Sequence, residues 1–158
     1  MIRAVQDIEF WRERLREFKD PVESIIPNFA WEEVNKLHKS IIEDCVRGSV
    51  LDIGCGPGRI AHWFTDEQYT GIDFVPEYVE IAKNRHSTKR FLIVDAIKPL
   101  PFADKEFDWG ICVSFKGTLF NGDAHDPTNT WRPVGENLSR ICKRLLILEY
   151  SRKYAEVW

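Results

Sequence analysis

The stretch Val50-Leu51-Asp52-Ile53-Gly54-Cys55-Gly56-Pro57-Gly58-Arg59 holds the residues best suited to grip a small polar ligand. An apolar run, Ser49 to Ile53, reads as a buried strand that opens into a loop with glycine at alternate positions. Glycine accepts positive φ and lets a ligand approach the backbone without meeting a Cβ. A helix is expected from Arg59, with the N–H groups of its first turn facing a polar group in the loop. Strand, turn and helix in this order suit a nucleotide-like ligand. The dinucleotide pattern spaces its glycines G-x-G-x-x-G, whereas Gly54, Gly56 and Gly58 are one residue tighter, with Asp52 inside the strand end. A carboxylate there would repel a pyrophosphate and attract a ligand carrying an α-amino group.

Two further acids follow strands. Tyr69-Thr70-Gly71-Ile72-Asp73 ends in a carboxylate that can accept from both hydroxyls of a ribose. Phe74 then either lies against an adenine ring or fills the core at the strand end. Asp95 follows the expected strand Arg90 to Val94 and can accept from the adenine amine, while the Ala96 N–H reaches a ring nitrogen. The plainer role for Asp95 is to cap a turn.

Asp52-x-Gly54-x-Gly56-x-Gly58 resembles the first motif of the class I S-adenosylmethionine-dependent methyltransferases. The run Gly71 to Lys83, with Asp73 near its start and Pro76 opening a helix, resembles the second motif. Leu100-Pro101-Phe102, then Phe107-Asp108 before the apolar strand Trp109 to Val113, resembles the third and fourth. The resemblance spans about residues 48 to 151. It implies an α/β fold: a Rossmann-like parallel sheet in order 3-2-1-4-5, flanked by helices. It also implies S-adenosylmethionine as cofactor, held by Asp52, Gly54, Cys55, Gly56, Gly58, Asp73, Phe74, Asp95, Ala96 and Ser114. Family members usually continue through another helix and two strands, and the chain departs from them by ending at Trp158 without strands 6 and 7. The fifth strand, Arg144 to Tyr150, is then an edge, to be covered by Arg152 to Trp158, a second copy or a partner subunit.

The elements that position these residues follow from spacing. Val5, Ile8, Phe10, Trp11, Leu15 and Phe18 make one amphipathic helix, broken at Asp20-Pro21. Trp31, Val34, Leu37, Ile41 and Ile42 make a second, ended by Arg47-Gly48. Residues 1–47 therefore read as a helical cap on a core of residues 48–158, together one domain. The cap either covers the sheet or, as the resemblance favours, closes over the ligand with Trp11 and Phe29. After Pro76, Tyr78, Val79, Ile81 and Ala82 are expected to point inward, and Val134, Leu138 and Ile141 make a later helix face.

Composition bounds the function. The chain has 158 residues and a formal net charge of −3, which gives no general attraction to nucleic acid. No apolar run approaches the roughly 20 residues of a bilayer span, and Met1 to Phe18 lacks a signal-peptide block. Cys45, Cys55, Cys112 and Cys142 are scattered, as reduced thiols of a cytoplasmic protein and not as zinc ligands.

A methyl on a sulfonium is transferred by in-line displacement, so the protein must align two centres and, for a neutral acceptor, remove a proton. His125, beside Asp126 in the loop after the fourth strand, is the candidate base, and Lys116 could steer an acidic substrate. His38, His62 and His86 are expected at the surface, and Asp108 is expected to bridge a loop, not to catalyse. No Asn/Asp-Pro-Pro-Tyr/Phe segment, Pro-Cys nucleophile, metal-binding aspartate after the fourth strand or glutamate-pair loop is present. The expectation is methyl transfer to a small molecule. A non-catalytic S-adenosylmethionine-binding subunit is the alternative, and a nicotinamide oxidoreductase is disfavoured by Asp52 and the tight glycine spacing.

Overall fold

The computed structural model describes residues 8–25, 31–113 and 131–148. Its centre is a five-stranded parallel sheet in the order β3-β2-β1-β4-β5. The strands are β1 (Val50–Ile53), β2 (Tyr69–Asp73), β3 (Arg90–Ile93), β4 (Phe107–Val113) and β5 (Cys142–Leu148). Four helices are described: α1 (Ile8–Glu17), α2 (Trp31–Cys45), α3 (Pro76–Arg85) and α4 (Trp131–Ile141). The expected sheet order is the observed one. None of the described helices is long and apolar enough to cross a membrane.

Register explains why β1 is buried throughout. It pairs with β2 on one side, Asp52 opposite Gly71, and with β4 on the other, Asp52 opposite Ile111. Every residue of β1 and β2 is buried, as expected where helices cover both faces of a parallel sheet. One face packs Val50, Tyr69, Phe91 and Ile111 with Ile42 and Val46 at the end of α2 and Val79 and Ala82 of α3. The other packs Leu51, Ile53, Ile72 and Cys112 with Val134, Leu138 and Ile141 of α4. Cys55, Cys112 and Cys142 are buried at separate points, and Cys45 is exposed.

Three expectations about helices are corrected. No α-helix follows the glycine loop: a 3-10 turn, Ala61–Trp63, takes its place, with the N–H groups of Ala61, Trp63 and Phe64 bonding back three residues. On α2, Leu37 is 51% exposed while His38 is 5% exposed, so the buried stripe is rotated from the one hydrophobicity suggests. On α3, Tyr78, Val79 and Ala82 are buried but Ile81 is only half-buried.

The Leu100-Pro101-Phe102 loop is tied down by two cations. Arg140 donates to the carbonyls of Phe102 at 2.7 Å and Leu100 at 2.9 Å. Lys105, at φ 55°, reaches the carbonyls of Ser139 and Cys142 at the end of α4, where unpaired carbonyls favour a cation. Asp108 is a bridging acid, but it joins Ser49 to β5 where a bridge within the preceding loop is expected. Its carboxylate accepts from the Ser49 N–H at 2.9 Å and hydroxyl at 3.1 Å, and from Lys143 on β5 at 2.7 Å. Gly48, at φ 87°, leaves room for that carboxylate, which a Cβ would strike.

These bonds, led by the one from Lys143, lower Asp108 to about 2. Its stabilisation is therefore present above the unfolded carboxyl pKa of about 3.9 and is lost as pH falls through about 2. Urea denaturation of Asp108→Asn should show less loss of stability than wild type between pH 5 and about 2. Equal acid sensitivity would show that the bridge contributes nothing.

Candidate functional site

The carboxyl ends of β1, β2 and β3 meet at the glycine loop. Gly54, Gly56 and Gly58 take φ of 69°, 53° and 75°, a region closed to most side chains, so the tight spacing has a direct backbone cause. The loop's N–H groups turn inward. Gly54 and Cys55 both donate to the Ile72 carbonyl, at 2.9 and 3.0 Å, and Gly58 donates to Cys55 at 3.1 Å. The Gly56 N–H donates to Asp73 Oδ2 at 2.9 Å, while Asp73 Oδ1 accepts from Val75 at 2.9 Å. Asp73 thus clamps the loop to the start of α3.

The three glycines face different neighbours. A Cβ on Gly58 would lie 2.9 Å from the His86 ring and 3.3 Å from Ala82, so Gly58 permits close packing on α3 and faces away from the loop mouth. A Cβ on Gly56 would lie 3.1 Å from Ile25, at the end of a 3-10 turn (Glu23–Ile25) in the cap. Gly54 is half-exposed, as are Phe74, Val94, Asp95 and Val113 along the same edge of the sheet. These residues mark an open rim at the carboxyl ends of the strands, where open parallel sheets bind ligands.

The cap is anchored beside this rim. Arg12 of α1 donates to Glu77 of α3 at 2.6 Å, Trp11 meets Tyr78 edge-on at 6.3 Å, and the Ser24 and Tyr78 hydroxyls bond at 2.8 Å. The second Glu77 oxygen is buried with no partner among the described residues. Of the cap, Ile25 lies against Gly56 and Trp11 against α3, and Phe29 is outside the described residues.

The remaining expected site residues sort by contact. Asp52 is 3% exposed and accepts from the Tyr69 hydroxyl at 2.6 Å. Asp95 caps a turn, accepting from the Ile97 N–H at 3.1 Å, with Lys98 at 3.6 Å from its other oxygen. Ala96 is buried against the α4 face, and its carbonyl accepts from Asn137 at 3.0 Å. Cys55 offers the loop its backbone alone: its side chain lies in the core beside Gly71, because a thiol behaves as a small apolar group. Ser114, Lys116 and His125 lie outside the described residues.

Two histidines also depart from expectation. His86 is half-buried and donates from Nε2 to the Gly58 carbonyl at 3.0 Å, supporting the loop from α3. His38 lies buried near Arg59, and both burial and that charge push it down to about 4. His62 is exposed, as expected, and stacks on His86 with 6.4 Å between ring centres. The missed signal is Arg59 itself. It is 9% exposed, and a buried cation requires polar company, here Asn35 of α2 at 3.1 Å.

Burial sets the charge of the two acids. Asp52 rises to about 7, with the Tyr69 hydroxyl and the Arg59 charge acting against burial. Asp73 rises to about 6, opposed by the N–H donors of Val75 and Gly56. Two carboxylates that can each gain or lose a proton near neutral pH are suited to a cationic, hydroxyl-bearing ligand.

The fold and this rim define the class I, Rossmann-like architecture built to hold a nucleoside-containing ligand at the carboxyl ends of the strands. Residues 50–142 match the family model described as a methyltransferase domain. The chain belongs to the S-adenosylmethionine-dependent methyltransferase family. It is 33% identical over 108 residues to an uncharacterized methyltransferase of Mycolicibacterium gilvum, a match covering 65% of this chain and 39% of that one. The structure of the YcgJ protein of Bacillus subtilis superposes with a TM-score of 0.58 at 26% identity, over 75% of this chain and 50% of that one. The Haemonchus contortus phosphoethanolamine N-methyltransferase 1, solved with phosphoethanolamine and S-adenosylhomocysteine, shares the fold at a TM-score of 0.70. Its identity is 16%, over 94% of this chain and 33% of that one. The chain thus spans half or less of each of these proteins.

The raised pKa of Asp52 has a definite sign. The folded state keeps a proton that the unfolded state has released, so the contribution is full below the unfolded pKa of about 3.9 and is lost as pH rises through about 7. Asp52→Asn has no such proton. The stability of wild type relative to Asp52→Asn, from urea denaturation without ligand, should fall between pH 4.5 and about 7 and then level off. A difference that is flat with pH would show that Asp52 titrates normally.

Proposed function

We propose that the chain binds S-adenosylmethionine across the carboxyl ends of β1, β2 and β3 and transfers its methyl group to a small-molecule acceptor. The observation that carries this reading is Asp73, a buried carboxylate at the end of β2 that accepts from the Gly56 N–H of the glycine loop on one oxygen and from the Val75 N–H on the other. A carboxylate offers about four acceptor positions, which leaves capacity for a ribose hydroxyl beside the backbone donors of Gly56, Val75 and Phe74. The donor set fits the rest of the cofactor. Asp52 is the carboxylate for the α-amino group, and half-exposed Phe74 is the apolar surface for the adenine. With Asp95 Oδ1 committed to its turn, its other oxygen and the Ala96 N–H are the groups for the adenine edge.

When bound, S-adenosylmethionine supplies a methyl on a sulfonium, open to in-line attack. The chain's own residues then orient and enclose. The Asp73 clamp fixes where the ribose can lie, and Ile25 roofs Gly56 so that the ligand lies toward Gly54 and Phe74 and is shielded from water on the cap side. On sequence grounds His125 is the candidate base for a neutral acceptor, Lys116 the candidate steering charge and Ser114 a cofactor contact. A cytoplasmic location and a second copy or partner subunit against β5 belong to the same proposal.

Equilibrium dialysis with labelled S-adenosylmethionine tests it. Asp73→Ala should weaken binding about 100-fold, the loss of a charge-assisted hydrogen bond, while circular dichroism keeps the native helix and strand signal. Because Asp73 also clamps the loop, this variant should lose some thermal stability as well. Unchanged affinity would remove Asp73 from the ribose site. Gly56→Val, strained at φ 53° and pressed on Ile25, should also abolish binding. Transfer of labelled methyl to a small-molecule pool is the expected activity, and tight binding with no transfer to any acceptor would favour the non-catalytic subunit.

A further inference from the structure

Beneath the glycine loop lies a polar cluster drawn from four segments. Asp52 comes from β1, Tyr69 from β2, Arg59 from the turn after the loop, and Asn35 and His38 from α2. We propose that Tyr69 and Arg59 are positioning residues that aim Asp52 and favour its carboxylate form, and so set the affinity for the amino-acid end of the cofactor. This inference rests on the cofactor reading above.

Tyr69 has one freedom left. Its ring is 1% exposed, stacked on Phe64 at 5.7 Å, met edge-on by Phe91 at 5.6 Å and approached by the Lys89 ammonium at 5.9 Å. Packing from these sides fixes the ring, and its hydroxyl donates to Asp52 Oδ2 at 2.6 Å. That bond occupies one oxygen and fixes the carboxylate plane, which leaves Oδ1 as the oxygen for a ligand ammonium.

Arg59 supplies the charge. Its Nη1 donates to Asn35 at 3.1 Å, which ties α2 to the turn following Gly58. The fixed cation favours the carboxylate form of Asp52, against burial and the nearby Asp73. The other titratable groups facing the cluster add little charge near neutral pH. His38 is neutral, with its Nδ1 buried and without a partner among the described residues, and burial holds the Cys55 thiol protonated. The cluster therefore has one acid, one cation and three neutral polar groups, and Tyr69 and Arg59 both favour the Asp52 carboxylate.

The test separates the two ends of the cofactor. Calorimetry would compare S-adenosylhomocysteine with 5′-methylthioadenosine, which keeps the adenosine thioether but lacks the amino-acid end. Tyr69→Phe preserves the ring and removes the hydroxyl. It should weaken S-adenosylhomocysteine binding about tenfold and leave 5′-methylthioadenosine within about twofold. The pH of half-maximal S-adenosylhomocysteine affinity should move upward, because a bond that lowers the Asp52 pKa is gone. Arg59→Gln should act in the same direction and Arg59→Lys should recover most of the affinity, which keeps the test open if one variant folds poorly. Unchanged S-adenosylhomocysteine affinity, or equal losses for both ligands, would overturn the proposal. If wild type binds neither ligand, the cofactor reading itself falls, and this inference with it.

Discussion

The structure depends on one hydrogen-bonded carboxylate, Asp73. It stands at the end of β2, where the sheet stops, and its two oxygens accept from Gly56 on one side and Val75 on the other. Without it, a loop held at three positive φ angles would have no side-chain tie to the sheet. The clamp turns a glycine-rich segment, costly in conformational entropy, into a fixed cradle. His86 supports the same loop from behind, through the Gly58 carbonyl. The cradle's geometry is thus settled by α3 and β2, while its charge is settled by burial of Asp52 and Asp73.

The two ends of the sheet are organised by opposite electrostatics. At the amino end, Asp108 is ringed by donors from Ser49 and Lys143 and is held as a carboxylate well below ordinary acid pKa values. At the carboxyl end, Asp52 and Asp73 are buried and keep their protons toward neutral pH. A structural acid is satisfied by the protein and gains from its charge. Burial of Asp52 and Asp73 instead disfavours their charge, against the donors from which each accepts.

The fold was legible because motif and pattern agree. Apolar strands ending in acids, the alternate glycines and Pro76 each point to a parallel sheet with a ligand rim, and the register confirms the order. That Asp108 is structural was legible too, but its partners Ser49 and Lys143 were not. What was not legible depends on tertiary contact. Leu37 with Ile41 and His38 with Ile42 give the same four-residue spacing on α2, and the face that turns inward is the one where Asn35 and His38 meet the buried Arg59. The apolar residues Ile60, Ala61, Trp63 and Phe64 satisfy a helical pattern, yet Thr65, Asp66 and Glu67 follow too soon for a full helix to propagate. Arg140 and Lys105 act on backbone carbonyls, which leave no mark in a sequence.

Calorimetric titration of the wild-type chain with S-adenosylhomocysteine and NADH, side by side, tests the central claim most directly. The account predicts micromolar binding of S-adenosylhomocysteine, with no heat from NADH, because Asp52 welcomes an ammonium and repels a pyrophosphate. Binding of NADH in preference to S-adenosylhomocysteine would contradict it.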